Sequence, residues 1–508
     1  MTTAAPAPAP LAGFRSGSPF RPGLSTFATF ALFTAFAGDF WRNLLSWWGF
    51  GAIVVGIAAV AVVLLVRKRP LPRLTHLPAP LVLFLLWCLL STIWSWYRPE
   101  TLLACLIQLI GATVALSLAV NCTKLQFLDA LGRALRIIVG MSLVFELLVA
   151  LFMPHGILPL YLYLPGQLEL FTGIAGATPE TAHPAVYWSQ GHLFDGAAIQ
   201  GILGNRNLLG FVALLALIVT GVQLAAGRLG RWRAWIWCLV CFGTLFLSRS
   251  ATPIVALPVI ALAIALVWLA RRLSTKGRWI MYVVVFALGC IGAFVLVTWR
   301  DEIFGLINRS GDMSGRGDVW RAVVGIGSQQ PILGVGWISY WAPWVSPYKD
   351  LVILDGLRYL QAHNAYLDAW MQTGVIGAAL LGGLVLSTTI RSWWLAIDRP
   401  QTDASGSRPI PHTAVLAFLL MVALVLQSLT ESRLLVEGNW VLLCYLAIYS
   451  KLRVQDLPAL PRRTIPARTG PIALPGVVPG EAAPQADRRA APHPAEPGAG
   501  AGAPSERR

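Results

Sequence analysis

Three arginines and a histidine stand out in a sequence that otherwise carries few charges: Arg206 in "GILGNRNLLG", Arg249 in "LSRSATP", Arg316 in "SGRGDVW" and His363 in "QAHNAYLDAW". Each lies beside a long apolar run. A guanidinium is planar, stays charged at any relevant pH and presents paired N–H groups that match phosphate oxygens. Several of them converging at a membrane boundary would hold a lipid diphosphate without a metal. Each residue also has a structural reading. Arg206 could cap loop carbonyls or reach to lipid headgroups, Arg316 could pair with Asp312 or Asp318, and His363 could be the neighbour of a helix cap at Asn364. Arg249 is harder to explain that way. Its turn is so short that the charge must sit near the interface, where it is costly unless paired.

What must position these side chains is set by composition. Of 508 residues, 56% are hydrophobic and only 12% charged, and the mean hydropathy is +0.66. A soluble domain carries about 25% charged residues. Apolar runs of roughly twenty residues at this low charge indicate an all-α, polytopic integral membrane protein. About twelve spans are expected, centred in 24–38, 44–66, 78–97, 101–120, 134–152, 208–226, 234–249, 251–270, 279–298, 371–390, 412–430 and 434–450. The net charge of +16 does not point to nucleic acid, because the basic residues sit in short clusters between apolar runs.

Those clusters orient the chain. Arg67, Lys68, Arg69 and Arg73, then Lys124, Arg133 and Arg136, then Arg228, Arg231 and Arg233, then Arg271, Arg272, Lys276 and Arg278, then Arg391, Arg399 and Arg408 occupy every second loop. The positive-inside rule therefore places both termini in the cytoplasm and the alternate loops outside. Two outer loops are long, about 153–207 and 299–370, and the second has helical periodicity in "RGDVWRAVVGIGSQQP". All four candidate cations fall on this outer side. The domain expectation is a cytoplasmic N-terminal tail (1–22), a transmembrane domain (23–452) and a basic Pro/Ala-rich cytoplasmic tail (453–508), both tails being too poor in apolar surface to fold. The start lacks the basic region and cleavage site of a signal peptide.

Absences narrow the chemistry. There is no GxxxxGK[ST] phosphate loop, no Asp-x-Asp pair in an outer loop and no Cys/His zinc spacing. The seven cysteines lie in or beside apolar runs, so Cys238 and Cys241 in "WIWCLVCFG" read as packed thiols and no cofactor or metal is expected. The loop acids (Glu169, Glu180, Asp195, Asp301, Glu302, Asp312, Asp318, Asp350, Asp355) show no pairing that assigns glycosidase work.

"GNRNLLG", "LSRSATP", "SGRGDVWRAVVGIGSQQPILGVGW" and "AHNAYLDAWMQTGVIGAALL", in this order and topology, resemble the O-antigen ligase/polymerase superfamily of bacterial envelope glycosyltransferases. The resemblance covers roughly residues 200–385. It implies metal-independent, inverting transfer of a glycan from undecaprenyl diphosphate to an acceptor hydroxyl on a glycan or glycolipid, at the outer face of the cytoplasmic membrane. Carried over position by position, Arg206 and Arg249 would grip the diphosphate. Arg316 would sit near donor or acceptor, and His363 would orient or deprotonate the acceptor hydroxyl. Asn205, Asn207 and Asn364 would position these side chains. Ligase and polymerase are not separable from the residues. Outer-loop aromatics (Tyr187, Trp188, Trp337, Tyr340, Trp341, Trp344, Tyr348) could stack on sugars or anchor the fold. A carrier is the competing class, its main support being Glu146, a carboxylate inside the apolar run "MSLVFELLVAL".

Overall fold

Each of the twelve apolar runs holds a helix. The structure, a computed structural model, describes residues 22–68, 71–153, 155–299, 315–354, 357–398 and 410–455, all within one contact unit, Met1–Pro458. The helices are α1 (Pro22–Phe36), α2 (Gly38–Arg67), α3 (Ala79–Leu90), α4 (Arg98–Asn121), α5 (Lys124–Phe152), the short α6 (Gln167–Thr172), α7 (Arg206–Ala225), α8 (Arg231–Leu247), α9 (Ala251–Arg272), α10 (Thr275–Thr298), α11 (Arg316–Gly327), α12 (Ala365–Ile397), α13 (Leu416–Ser428) and α14 (Glu437–Gln455). Seven of them, α2, α4, α5, α7, α9, α10 and α12, are long and apolar enough to cross a membrane, and shorter apolar stretches contain α1, α3 and α13. The chain is an all-α polytopic membrane protein. The expected tails lie outside the described residues, except that helix already begins at Pro22 and continues through residues 453–455. Arg69, Asp301, Glu302, Asp312, Arg399 and Arg408 also lie outside them.

α7 is the central helix. α5, α8, α9 and α13 pack around it, and its Leu209, Ala213, Leu215 and Val219 are fully buried. Gly210 makes one of these approaches possible. A Cβ there would stand 2.6 Å from Ser248 Oγ and 3.1 Å from Ser250 Cβ, so the absence of a side chain lets the α8–α9 turn, with Arg249 at its tip, settle against the start of α7. α10 lies at the edge and turns Trp279, Phe286 and Phe294 outward. Such apolar exposure is stable only against lipid.

The two long outer loops are folded structures. The first contains α6 and four short 3-10 turns. The second contains α11, as its periodicity predicts, and a hairpin of two-residue strands, β1 (Ile353–Leu354) and β2 (Leu357–Arg358), paired Ile353 to Arg358 and Leu354 to Leu357. The block "PILGVGW" docks on a break in α12. Gly374 has φ +66 there, and a Cβ on it would meet the Ile332 carbonyl oxygen at 2.0 Å. The backbone groups freed by the break are satisfied by that loop: Val375 N–H donates to Pro331 O at 2.9 Å, while Val335 and Gly336 N–H donate to Met371 O and Gln372 O at 3.1 and 2.9 Å. A helix break at membrane depth needs such replacement partners.

Glu146 is a buried carboxylate of α5. It accepts from Ser189 Oγ at 2.8 Å and from the backbone N–H groups of Gln200 and Gly201 at 2.8 and 2.6 Å. Its partners belong to the outer loop entering α7, not to a neighbouring helix, and 1% of its surface is exposed. Glu146→Ala should strand three buried donors at a cost of about 1–3 kcal/mol each, and lower the apparent Tm of the purified protein by several degrees. An unchanged Tm would show that this carboxylate does not hold the loop.

Candidate functional site

The outer loops and helix ends enclose a cavity of about 720 Å³. Arg206, Arg249, Arg316 and His363 all line it, although the chain separates the first from the last by more than 150 residues. Asn205 and Asn207 line it too; Asn364 is not among its lining residues. The lining residues belong to loops that charge alternation assigns to the outer side, or, for Arg249, Ala251, Thr252 and Val436, to the adjoining ends of expected spans.

Helix starts build the cationic end. Asn205 caps α7, its side-chain oxygen accepting from Asn207 and Leu208 N–H at 2.9 and 3.2 Å. Arg206 is therefore the first helical residue. Asn364 caps α12 in the same way, accepting from Tyr366 and Leu367 N–H at 3.0 Å each, so His363 is held just ahead of that helix. Arg316 begins α11 and Ala251 begins α9. Four helix N-termini thus sit at one cavity, and their partial positive charge adds to that of the side chains. Two of the candidates are in left-handed backbone, Arg249 at φ +47 and His363 at φ +52. That conformation costs a non-glycine residue on the order of 1 kcal/mol or more and persists where surrounding contacts impose it.

The arginines divide into two groups. Arg316 binds the Glu431 carboxylate at 3.3 Å, not Asp318, which is paired with Arg321. Arg433, also at the cavity, lies 3.6 Å from both Asp39 and Glu437, and Arg42 pairs with the same two acids. Arg358 points its Nη1 at the carbonyls of Leu170 and Pro343, 2.5 and 2.9 Å away. By contrast, Arg206 and Arg249 are exposed to the cavity, and among the described residues neither side chain has a hydrogen-bond or ion-pair partner. Two guanidiniums with no counter-ion among the described residues thus face one cavity at four helix starts, a chemistry that suits an anion with several oxygens.

Glu431 lies at the centre of the remaining network, and inspection of the long loops missed it. It sits in the short turn after α13 and is 5% exposed. Oε1 accepts from Asn207 Nδ2 at 2.9 Å and from Arg316; Oε2 accepts from Gln361 Nε2 at 2.8 Å and from His363 Nδ1 at 3.1 Å. Burial alone would raise its titration, but the hydrogen bond and charge of His363, with Arg316 and Arg433, hold the carboxyl below its usual range. An ionised carboxylate only accepts. A neutral imidazole bonded to it has to carry its proton on Nδ1, which leaves Nε2 as the ring's proton acceptor. Trp320 of α11 fixes the approach to the ring by donating from Nε1 to Ala362 O at 2.9 Å, and buried Asp368 accepts from Ala362 N–H at 3.3 Å.

Asn207 links the two ends of the site. It donates to Glu431 and accepts from Ser250 Oγ at 2.9 Å, beside Arg249. Of the seven outer aromatics, Tyr187 and Tyr340 line the cavity. Trp188, Trp337, Trp341 and Tyr348 are buried core, which selects the fold-anchoring alternative for these four, and Trp344 is exposed outside the lining.

A family model described as O-Antigen ligase matches residues 236–382. This segment runs from α8 into α12 and includes Arg249, Arg316 and His363. Over this segment, a little under a third of its length, the chain is similar to the O-antigen ligase family. It is also 24% identical over 193 residues to Exopolysaccharide production protein ExoQ of Rhizobium meliloti (strain 1021), an alignment covering 36% of this chain and 43% of that relative. The O-antigen ligase match ends just past the Gly374 break, so the superfamily segment contains both the docking loop and the helix it docks on. Arg206 and Glu431 lie outside the matched residues on either side, and the packing brings them back to it.

Proposed function

We propose that this chain is a membrane glycosyltransferase that moves a glycan from undecaprenyl diphosphate to an acceptor hydroxyl on a glycan or glycolipid. The reaction takes place at the outer face of a bacterial cytoplasmic membrane, with both termini of the chain inside. The observation that carries this reading is the pair of guanidiniums, Arg206 and Arg249, that have no partner among the described residues and share one cavity with a histidine that engages Glu431 through Nδ1 and has Nε2 left to accept a proton. His363 Nε2 takes the acceptor hydroxyl proton, and the freed oxygen attacks the anomeric carbon opposite the diphosphate. The bond from that carbon to the phosphate oxygen breaks, its electron pair leaves on the diphosphate, and the configuration inverts. His363 then returns its proton to water.

Charge grows on the leaving diphosphate as this bond breaks. Guanidiniums and helix N-termini already in place stabilise it without reorganising, which is why preorganised charge is effective in a site with little water. The arrangement calls for no divalent ion. Glu146, the main support for a carrier, is occupied in holding the outer loop.

The superfamily match supports a ligase, in which a finished glycan moves once. The likeness to an exopolysaccharide production protein favours a second reading, a polymerase that adds repeats to one another. Purified protein incubated in EDTA with an undecaprenyl-diphosphate-linked oligosaccharide and candidate acceptors separates them. A single discrete increase in acceptor mass means ligase; a ladder means polymerase. No product in EDTA, with product restored by a divalent ion, would remove the metal-free mechanism.

A further inference from the structure

Resting on that reading of His363, we propose that Glu431 is a positioning residue that fixes the His363 ring in its proton-accepting tautomer and couples it to the phosphate-holding end of the cavity. Four side chains from three separate parts of the chain converge on this one carboxylate. His363 and Gln361 bind Oε2, while Arg316 and Asn207 bind Oε1. All four contacts are donors to an acceptor-only group, so no alternative tautomer of His363 keeps its bond. The neighbouring backbone fixes the turn as well. Leu429 O accepts from Asn364 Nδ2 at 3.2 Å, Thr430 Oγ1 accepts from Thr252 Oγ1 at 2.9 Å, and Ser432 N–H donates to Gln361 Oε1 at 3.2 Å. The turn between α13 and α14 thereby ties the starts of α9 and α12 together, one adjoining Arg249 and the other His363.

The charge has a second consequence. When His363 takes the acceptor proton it becomes a cation in a cavity already rich in arginine. Arg316 and Arg433 lie on the Glu431 side, and Arg206, Arg249 and Arg358 line the wall, with Asp39 as the lining acid. Without a carboxylate at Nδ1 these charges would oppose protonation. Glu431 offsets them where the positive charge forms, as a carboxylate behind a catalytic imidazole does in general. Arg316 on the other carboxylate oxygen holds Glu431 ionised without occupying the imidazole.

Glu431→Gln tests this. It keeps the size and hydrogen-bonding reach and removes the charge. The transfer rate should fall about 10²-fold or more, and the acidic limb of the pH–rate profile should move to lower pH, because an imidazole without its carboxylate loses its proton more readily. Affinity for undecaprenyl diphosphate itself should stay within about threefold. Where turnover is too slow for a profile, the titration of the His363 ring, followed by NMR with ¹³C-labelled histidine and assigned with His363→Asn, reads the same shift without activity. A purely structural role would lower the rate and leave both titrations in place, and that outcome overturns the proposal, as does a Glu431→Gln rate within threefold of wild type. Full transfer by His363→Asn would instead overturn the reading beneath it, whatever Glu431→Gln does.

Discussion

Arg249→Ala and Arg206→Ala will each lower transfer from the lipid-linked donor by about 10²–10³-fold, the usual cost of removing one preorganised donor from a developing oxyanion. The double variant should approach the uncatalysed rate. These two positions give the cleanest test because they separate activity from folding. Neither side chain has a partner among the described residues and both are exposed to the cavity. Truncation therefore breaks no internal contact seen there, and at Arg206 it should change stability by about 0.5 kcal/mol or less; Arg249 stands in left-handed backbone at φ +47, so Arg249→Asn, which tolerates that conformation, is run beside Arg249→Ala. Arg249→Lys should recover only part of the rate, because a lysine keeps the charge but not the two-pronged geometry. Assays in proteoliposomes, with thermal unfolding run in parallel, check both halves. If both alanine variants transferred glycan at the wild-type rate, the cavity would not be holding a diphosphate there.

The second large effect is expected at His363. Loss of a general base costs about 10²–10⁴-fold, but His363→Ala would also place alanine in left-handed backbone at φ +52. Asparagine tolerates that conformation and lacks a comparable base, so His363→Asn is the sharper variant. Its rate should fall by at least 10²-fold. A loss below tenfold would mean that another group, or water, takes the acceptor proton. Unlike the arginines, His363 bonds to Glu431, so a modest decline in stability is expected as well.

Much of this arrangement is written in short stretches of chain. The apolar runs give helices because a lipid environment requires every backbone group to be paired within its own segment. The spacing of arginine and lysine assigns the loops to sides, and by that assignment all four candidate cations fall on one side. "GNRN" and "HNAY" each carry an asparagine that caps the helix it precedes, and the periodicity of "RGDVWRAVVGIG" is that of α11. Each of these depends on neighbours within about one helical turn, which a sequence displays directly.

Partnership is not displayed in that way. "LTESRL" gives no sign that Glu431 will receive donors from Asn207, 224 residues away, and from Arg316, 115 residues away. Arg316 had two acids close in sequence to choose from, yet took neither Asp318 nor any other loop acid among the described residues. Hydropathy likewise cannot tell a tryptophan that lines a cavity from one that fills the core, so Trp337 and Trp341 were legible as outer-loop aromatics and not as buried ones. Helices, their caps and the assignment of loops to sides are legible in chain order, because they follow from hydrogen bonding within a turn and from the cost of charge in lipid. Which cations are neutralised and which are left open is settled by packing, because it depends on how α7, α9, α12 and the turn after α13 meet, and those surfaces come together solely in the folded chain.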